Sequence, residues 1–317
     1  MIEAAGSTFR SRVSEVQWRS VGVFALLAYA LSWGTWIGLG AAGVPFLIRA
    51  AAGMFGPMVA AVLTRRLLRE GFSDMGLRPL PGHRPYRWYL LAWGAIPLLL
   101  AAGLLLGLTV GFEHWSLLAN LRHEVSLIAP SREMRLLPPT PVLAGILAGA
   151  ALTTTTLEGC ILTAGEELGW RGHLLVRLAP LGEARAAIAV GVVWGLWHAP
   201  LIVLDGYEYP GHLWFGPFLF CLFTVPLSVI LAWLRFRSGS VWPGALAHSA
   251  LNAQALLVVL ALSGASSLVA PPVGLVGIAP FAGLAVWLIA TGRLRSPEPS
   301  PRHPRGTIVP AVATPSR

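Results

Sequence analysis

Residues 213–234 read LWFGPFLFCLFTVPLSVILAWL and are followed at once by Arg235-Phe236-Arg237. The run holds no charged side chain and, as a helix, is long enough to cross the roughly 30 Å hydrocarbon core of a bilayer. A basic cluster at the end of such a run marks where a membrane helix emerges into the cytoplasm. The rest of the chain repeats the pattern. Comparable runs lie at about 21–43, 46–64, 88–111, 141–170, 184–204, 241–262 and 268–291. The expected fold is therefore all-α, a polytopic membrane bundle of about eight transmembrane helices. Composition agrees, since 55% of the 317 residues are hydrophobic and only 12% are charged, outside the range of a soluble globular domain.

The formal net charge is +9, and all 23 basic residues are arginine. In a soluble protein that balance would suggest nucleic acid. Here the arginines sit between apolar runs and in the tails, so the lipid bilayer replaces nucleic acid as the expected partner. The segment 65–87 carries Arg65, Arg66, Arg69, Arg78, Arg84 and Arg87 against Glu70 and Asp74. If that segment is cytoplasmic, so are the 171–185 turn, the cluster at 235–237 and both termini. The opposite connections are uncharged at 44–45 and 263–267, balanced at 112–140, and acidic around Asp205 and Glu208. The expected layout is a cytoplasmic N-terminal segment at 1–20, a membrane domain at 21–292, and a basic, proline-rich, disordered cytoplasmic tail at 293–317. The compartment this implies is the plasma membrane.

Cys160 and Cys221 lie in apolar runs and offer no disulfide framework. GLGAAG at 38–43 matches a dinucleotide-binding pattern but follows no strand, so it carries no such reading. Thr153 to Thr156 are expected to bond back to the preceding helical turn.

The chemistry gathers around GEELGWRGH at 165–173. An ionisable side chain inside a membrane helix costs about 3 kcal/mol, so each one needs a partner or a task. Glu167 and Arg171 are four apart in the favourable acid-first order and can satisfy each other. Glu166 points about 100° away, toward a protein interior or a water-filled cavity. Two further runs supply companions: WGLWHAP holds Trp194 and His198, and ALAHSALN holds His248 and Asn252, each pair on one helical face. Glu166 and His198 are both 16 residues from position 182, the centre of a turn at Pro180-Leu181-Gly182. An antiparallel hairpin therefore sets them at one height. For His248 to join them, that hairpin must project beyond the start of the seventh run.

A carboxylate, two imidazoles and an amide can make a hydrolytic site, with Glu166 taking a proton from water, the histidines holding or passing protons, and Asn252 donating to an oxyanion. Glu166, His198 and His248 also make a sufficient three-ligand set for a catalytic zinc. The residues leave these mechanisms open. Glu158, two turns before Glu166, is a further candidate for the same cavity, and His173 and His212 near helix ends suit interfacial roles.

In this order and on successive apolar segments, Glu166-Glu167-x-x-x-Arg171, Trp194-x-x-x-His198 and His248-x-x-x-Asn252 resemble the CPBP family, the CAAX prenyl endopeptidases and bacteriocin-processing intramembrane proteases. The resemblance covers about 140–262. It implies an eight-helix endopeptidase with a site opening toward the cytoplasm and acting on a membrane-associated peptide or protein, with CAAX-type C-terminal processing as one form. It also implies Glu166 as the acid or base, His198, His248 and Asn252 completing the site, Glu167 and Arg171 supporting it, and either a metal or a glutamate-activated water. Tryptophan at 194 departs from the family's usual phenylalanine; it keeps an aromatic wall and would narrow the groove. Two other readings use the same residues: a catalytically silent immunity or scaffold protein, and an ion- or proton-coupled transporter.

Overall fold

The computed structural model describes residues 15–79, 85–128 and 137–294. The expectations for most of the N-terminal segment, for nearly all of the tail and for 129–136 in the 112–140 connection lie outside them. Thirteen α-helices follow in order: α1 (Trp18–Ala41), α2 (Phe46–Gly53), α3 (Gly56–Leu67), α4 (Tyr86–Val110), α5 (Leu117–Ile128), α6 (Thr140–Leu152), α7 (Thr154–Gly169), α8 (Leu175–Leu178), α9 (Glu183–Trp197), α10 (Ala199–Asp205), α11 (Gly216–Ser238), α12 (Trp242–Ala261) and α13 (Leu275–Ala290). The expected all-α membrane bundle is what forms. Among the described residues, six segments are long and apolar enough to cross a membrane, seven if α6 and the helix after it, bent by 42° at Thr153, count as one. The eighth run supplies only the 16-residue α13, preceded by an irregular stretch.

The surface confirms the solvent. Leu26, Leu98, Leu157, Ile161 and Val286 project outward, while Arg65, Glu167, Arg171 and His173 are fully buried. That inversion of the usual arrangement fits a lipid exterior, and the chain is an integral membrane protein. The helices close into a ring, α1 against α3, then α7, α12, α4, α13, α11 and α9, with α10 returning to α1. The strands β1 (His114–Trp115) and β2 (Leu262–Ser263) pair antiparallel and clip the end of α4 to the end of α12.

Small residues set the closest contacts. An added Cβ at Gly169 would stand 2.4 Å from Pro57 of α3, and one at Gly191 would stand 2.6 Å from the Val225 backbone of α11. Gly165 with Gly169, and Gly191 with Gly195, are spaced four apart, the interval that flattens one helical face for a neighbour. The geometry of α7 against α3 and of α9 against α11 thus rests on glycines flanking the polar motifs.

The arginine-rich ends pack together rather than fraying into water. Arg177 donates to Asp74 and Glu70 at 2.7 Å each, Arg65 donates to Asp74 at 2.6 Å, and Arg235 donates to the Asp74 carbonyl at 2.7 Å. Arg65 also donates to His173 Nδ1 at 3.1 Å, so that imidazole is neutral and its Nε2–H faces the Ser20 hydroxyl at 3.2 Å. His173 is therefore a buried tie between α1, α3 and the turn after α7, not an interfacial residue. Arg65 and Arg177, counted above with the basic connections, are interior too.

Asp74 makes this end pH-sensitive. Burial works to raise its carboxyl, but the hydrogen bonds and charges of Arg177 and Arg65 outweigh it and hold the group below the usual carboxylate range. A depressed folded value contributes stability above the unfolded pKa of about 4 and loses it as pH falls through the folded value. In detergent, the thermal midpoint of the wild type is expected to fall on acidification below that point. Asp74→Asn should start lower at neutral pH and lose less. Equal acid slopes for the two proteins would remove Asp74 from this role.

Candidate active site

The backbone between Gly169 and Leu175 widens into a π-turn at Trp170–Leu174, a feature that often marks functional sites. It carries Arg171 over the helix end so that the guanidinium meets Glu167 at 2.7 Å. The same carboxylate oxygen, Glu167 Oε1, lies 3.0 Å from His248 Nδ1. The expected Glu167–Arg171 pair is present, and it does a second task that spacing alone did not disclose. A carboxylate only accepts, so His248 donates from Nδ1 and leaves its Nε2 lone pair uncommitted.

His198 reaches the same state by another route. Its Nδ1 lies 2.9 Å from the Trp194 carbonyl one turn back, again an acceptor, so Nε2 is again the free atom. The ring is held by Trp197 at 4.7 Å and Phe220 at 4.7 Å, both edge-on, with Tyr207 stacked at 6.3 Å. Trp194 does more than form a wall. Its indole N–H donates to Glu166 Oε2 at 2.7 Å, a bond phenylalanine cannot make, while its ring meets His248 edge-on at 5.1 Å and Arg171 at 4.4 Å.

Glu166, His198, His248 and Asn252 line one cavity of about 300 Å³, together with Trp194, Tyr207 and Glu208. Four side chains distant in sequence are thus brought to one space. Asn252 has no hydrogen-bond partner among the described residues and is exposed toward it. Glu167 and Arg171 stand behind the wall. Glu158 is exposed and does not line the cavity. Thr153 and Thr156 bond back to Gly149 and Ala151, as their position suggested. The projection of the α7–α9 hairpin is also present: Thr163 meets the Ala245 carbonyl at 2.9 Å near the start of α12, leaving the turn at 179–182 well beyond it.

Tyr207 carries no signal in the sequence and Glu208 reads there only as the charge of an acidic connection, because both sit in the short segment between α10 and α11. Glu208 adopts φ 62, rare for a residue with a Cβ, and the turn is a strained one. Burial pushes its carboxyl up from the usual range, and the Tyr207 hydroxyl works the other way.

The cavity has a direction. From Glu166 its lining runs past Leu251, Asn252 and Ala255 to Phe46 and Leu47 at the start of α2, Glu208 between α10 and α11, and Pro272 ahead of α13, all at or beside the sparsely charged end. The arginine-rich connections gather at the other end of the bundle. Among the described residues, no arginine lines the cavity; Arg49, close by, is paired with Asp205.

Metal binding depends on the donors present. Two free Nε2 atoms, one of them backed by a carboxylate through Nδ1, are the right kind of ligand. Among the described residues, no group of three His, Cys, Asp or Glu side chains stands placed to hold one ion. No chemical step is therefore assigned to a metal.

Comparison with known proteins falls on this same region. The profile described as Type II CAAX prenyl endopeptidase Rce1-like matches residues 148–254, which contain all three polar motifs. Over that stretch the chain is similar to the CPBP proteases. A curated relative, CAAX prenyl protease 2 of Methanococcus maripaludis, is 36% identical over 78 residues, covering 23% of this chain and 28% of the relative. The chain thus spans about a quarter of the relative's length in that match.

Proposed function

We propose that the chain is an intramembrane endopeptidase in which Glu166 activates water against a peptide carbonyl inside the cavity. The observation that carries this reading is the joint orientation of the polar atoms: the Glu166 carboxylate, two imidazole lone pairs and a free amide all face one space. The attacking water donates one O–H to Glu166 and the other to an imidazole Nε2, of His198 or His248, which orients it. Glu166 takes its proton, hydroxide adds to the carbonyl carbon, and Asn252 donates to the oxyanion. The proton held on Glu166 then passes to the departing amine nitrogen as the C–N bond breaks. The family match supports hydrolysis as the class of reaction.

The cavity's electrostatics refine the substrate. A short C-terminal tail ending in a free carboxylate would enter a space with two carboxyl groups and no arginine, whereas a neutral segment would not be opposed. CAAX-type processing therefore requires the terminal carboxylate to stay outside the cavity. Reconstituted protein should cleave apolar peptides with an amidated end faster than the same peptides with a free acid. Failure to cleave any membrane-associated peptide, under conditions where the protein remains folded, would refute the endopeptidase reading and favour the silent membrane factor; gradient-driven flux would favour the transporter.

Access is the second refinement. Placing the arginine-rich end in the cytoplasm turns the cavity mouth to the other side, and a cytoplasmic substrate requires the inverse orientation. A single cysteine at Gly211, in a chain with Cys160 and Cys221 replaced by serine, labelled in intact cells by a membrane-impermeant thiol reagent, supports the first arrangement; protection until lysis supports the second.

Trp194 is assigned to holding Glu166. Trp194→Phe keeps the ring and removes the donor to a charged acceptor, an interaction worth about 1.5–3 kcal/mol. Cleavage should fall at least about tenfold with the thermal midpoint little changed. Undiminished cleavage would reduce the indole N–H to packing.

A further inference from the structure

A second chamber lies on the far side of α12 from His248 and Asn252. It has a volume of about 230 Å³ and is enclosed by α4, α5, α6 and α12, with Leu104, Leu121, Leu147, Ala148 and Val258 among its walls. These walls are apolar, with one exception. Gln254 lines the chamber, is only 3% exposed, and neither its Oε1 nor its Nε2 has a hydrogen-bond partner among the described residues. An unpaired amide at membrane depth costs several kcal/mol, because no water is present to compensate it. Packing does not explain the position, since leucine would fill it without that cost.

The surroundings identify what would complete the amide. Among the described residues, no charged side chain lines the chamber, so a charged ligand meets no counter-ion from them. Apolar cavities of about 150 Å³ already accept small hydrocarbons, and this one is larger. Gln254 lies seven residues before the last residue of α12, Ala261, or about 10 Å along the helix axis. It is therefore within reach of the zone where lipid chains join their oxygenated ends, about 15 Å from the bilayer centre. The loosely covered α6, with Val142 and Ile146 more than half exposed, forms the wall next to lipid.

We infer that this chamber is a lipid site, holding one uncharged hydrocarbon chain whose carbonyl or hydroxyl oxygen bonds the Gln254 amide. The chain can come from a phospholipid ester or from a neutral lipid such as diacylglycerol. The site is independent of the proposed hydrolysis, although it shares α12 with His248 and Asn252.

The test uses full-length protein reconstituted in nanodiscs of phosphatidylethanolamine and phosphatidylglycerol doped with diacylglycerol, then released into mild detergent for native mass spectrometry. The wild type is expected to retain one lipid, and its mass assigns the source as phospholipid or diacylglycerol. Gln254→Leu removes the amide and Ala148→Phe fills the space; each should lower retention at least tenfold. Gln254→Leu should melt no lower than the wild type in lipid-free detergent, which separates lost binding from lost folding. A wild type that emerges without lipid, or a Gln254→Leu protein that keeps the same lipid at the same occupancy, overturns the inference.

Discussion

Glu166→Gln is expected to fold as the wild type does and to cleave peptide substrates about 10³-fold more slowly, in line with the loss of a positioned general base. The substitution conserves volume and still presents an oxygen that can accept from the Trp194 indole, which now lies 2.7 Å from Oε2. What it removes is the capacity to accept a proton from water. In the proposed step the neighbouring imidazoles serve a different purpose. Both imidazoles have Nδ1 committed, one to Glu167 and one to the Trp194 carbonyl, and their remaining lone pairs orient water without a carboxylate to receive its proton. Glu208 lines the same cavity but at its mouth, among the connections. The measurement is kcat on a cleaved peptide, with the thermal midpoint of each protein taken alongside. Cleavage by Glu166→Gln within tenfold of the wild type would move the general base elsewhere, and Glu208→Gln would then be the next variant to examine.

Much of this was readable in the chain because a bilayer penalises polarity so heavily. Glu166, His198, His248 and Asn252 stood out against apolar runs, and residues without a structural reason to be there are found together. The equal distance of Glu166 and His198 from the turn at 182 translated into shared depth because α7 and α9 are antiparallel neighbours of a hairpin. Helix ends were less legible. Hydropathy does not register a break such as the one at Thr153, which leaves the apolar run uninterrupted while bending the axis by 42°. Nor does it separate an arginine at a membrane surface from one folded inward: Arg65, Arg177 and Arg235 read as loop charges, yet all three are buried around Asp74. Spacing within one helix also says nothing about donors that cross between helices. Trp194 was recognised as an aromatic on the His198 face, but its bond to Glu166 depends on how α9 is rotated against α7. That rotation is set partly by Gly191 and Gly195 lying against α11, a pattern of small residues visible in the sequence and not read as a packing signal.

Glu167→Leu should be among the most destabilising single changes in the protein, by about 3–5 kcal/mol, because it strands a buried cation. Arg171 has one hydrogen bond to a side chain, the 2.7 Å contact with Glu167, while its Nε and second terminal nitrogen have no partner. Its other support is the Trp194 face at 4.4 Å, too little to compensate a full charge away from water. The double variant Glu167→Leu/Arg171→Met removes both charges and leaves apolar side chains of similar volume, an exchange that is often neutral or stabilising. Thermal midpoints should therefore drop steeply in the single variant and recover in the double one. Cleavage should not recover with them. Both proteins lack the acceptor that holds His248 at Nδ1, so the imidazole loses its fixed tautomer and Nε2 no longer reliably faces the cavity. A double variant that regains stability and cleavage together would make Glu167 a structural residue alone, and one that regains neither would show that the ion pair itself specifies how α7 meets α12.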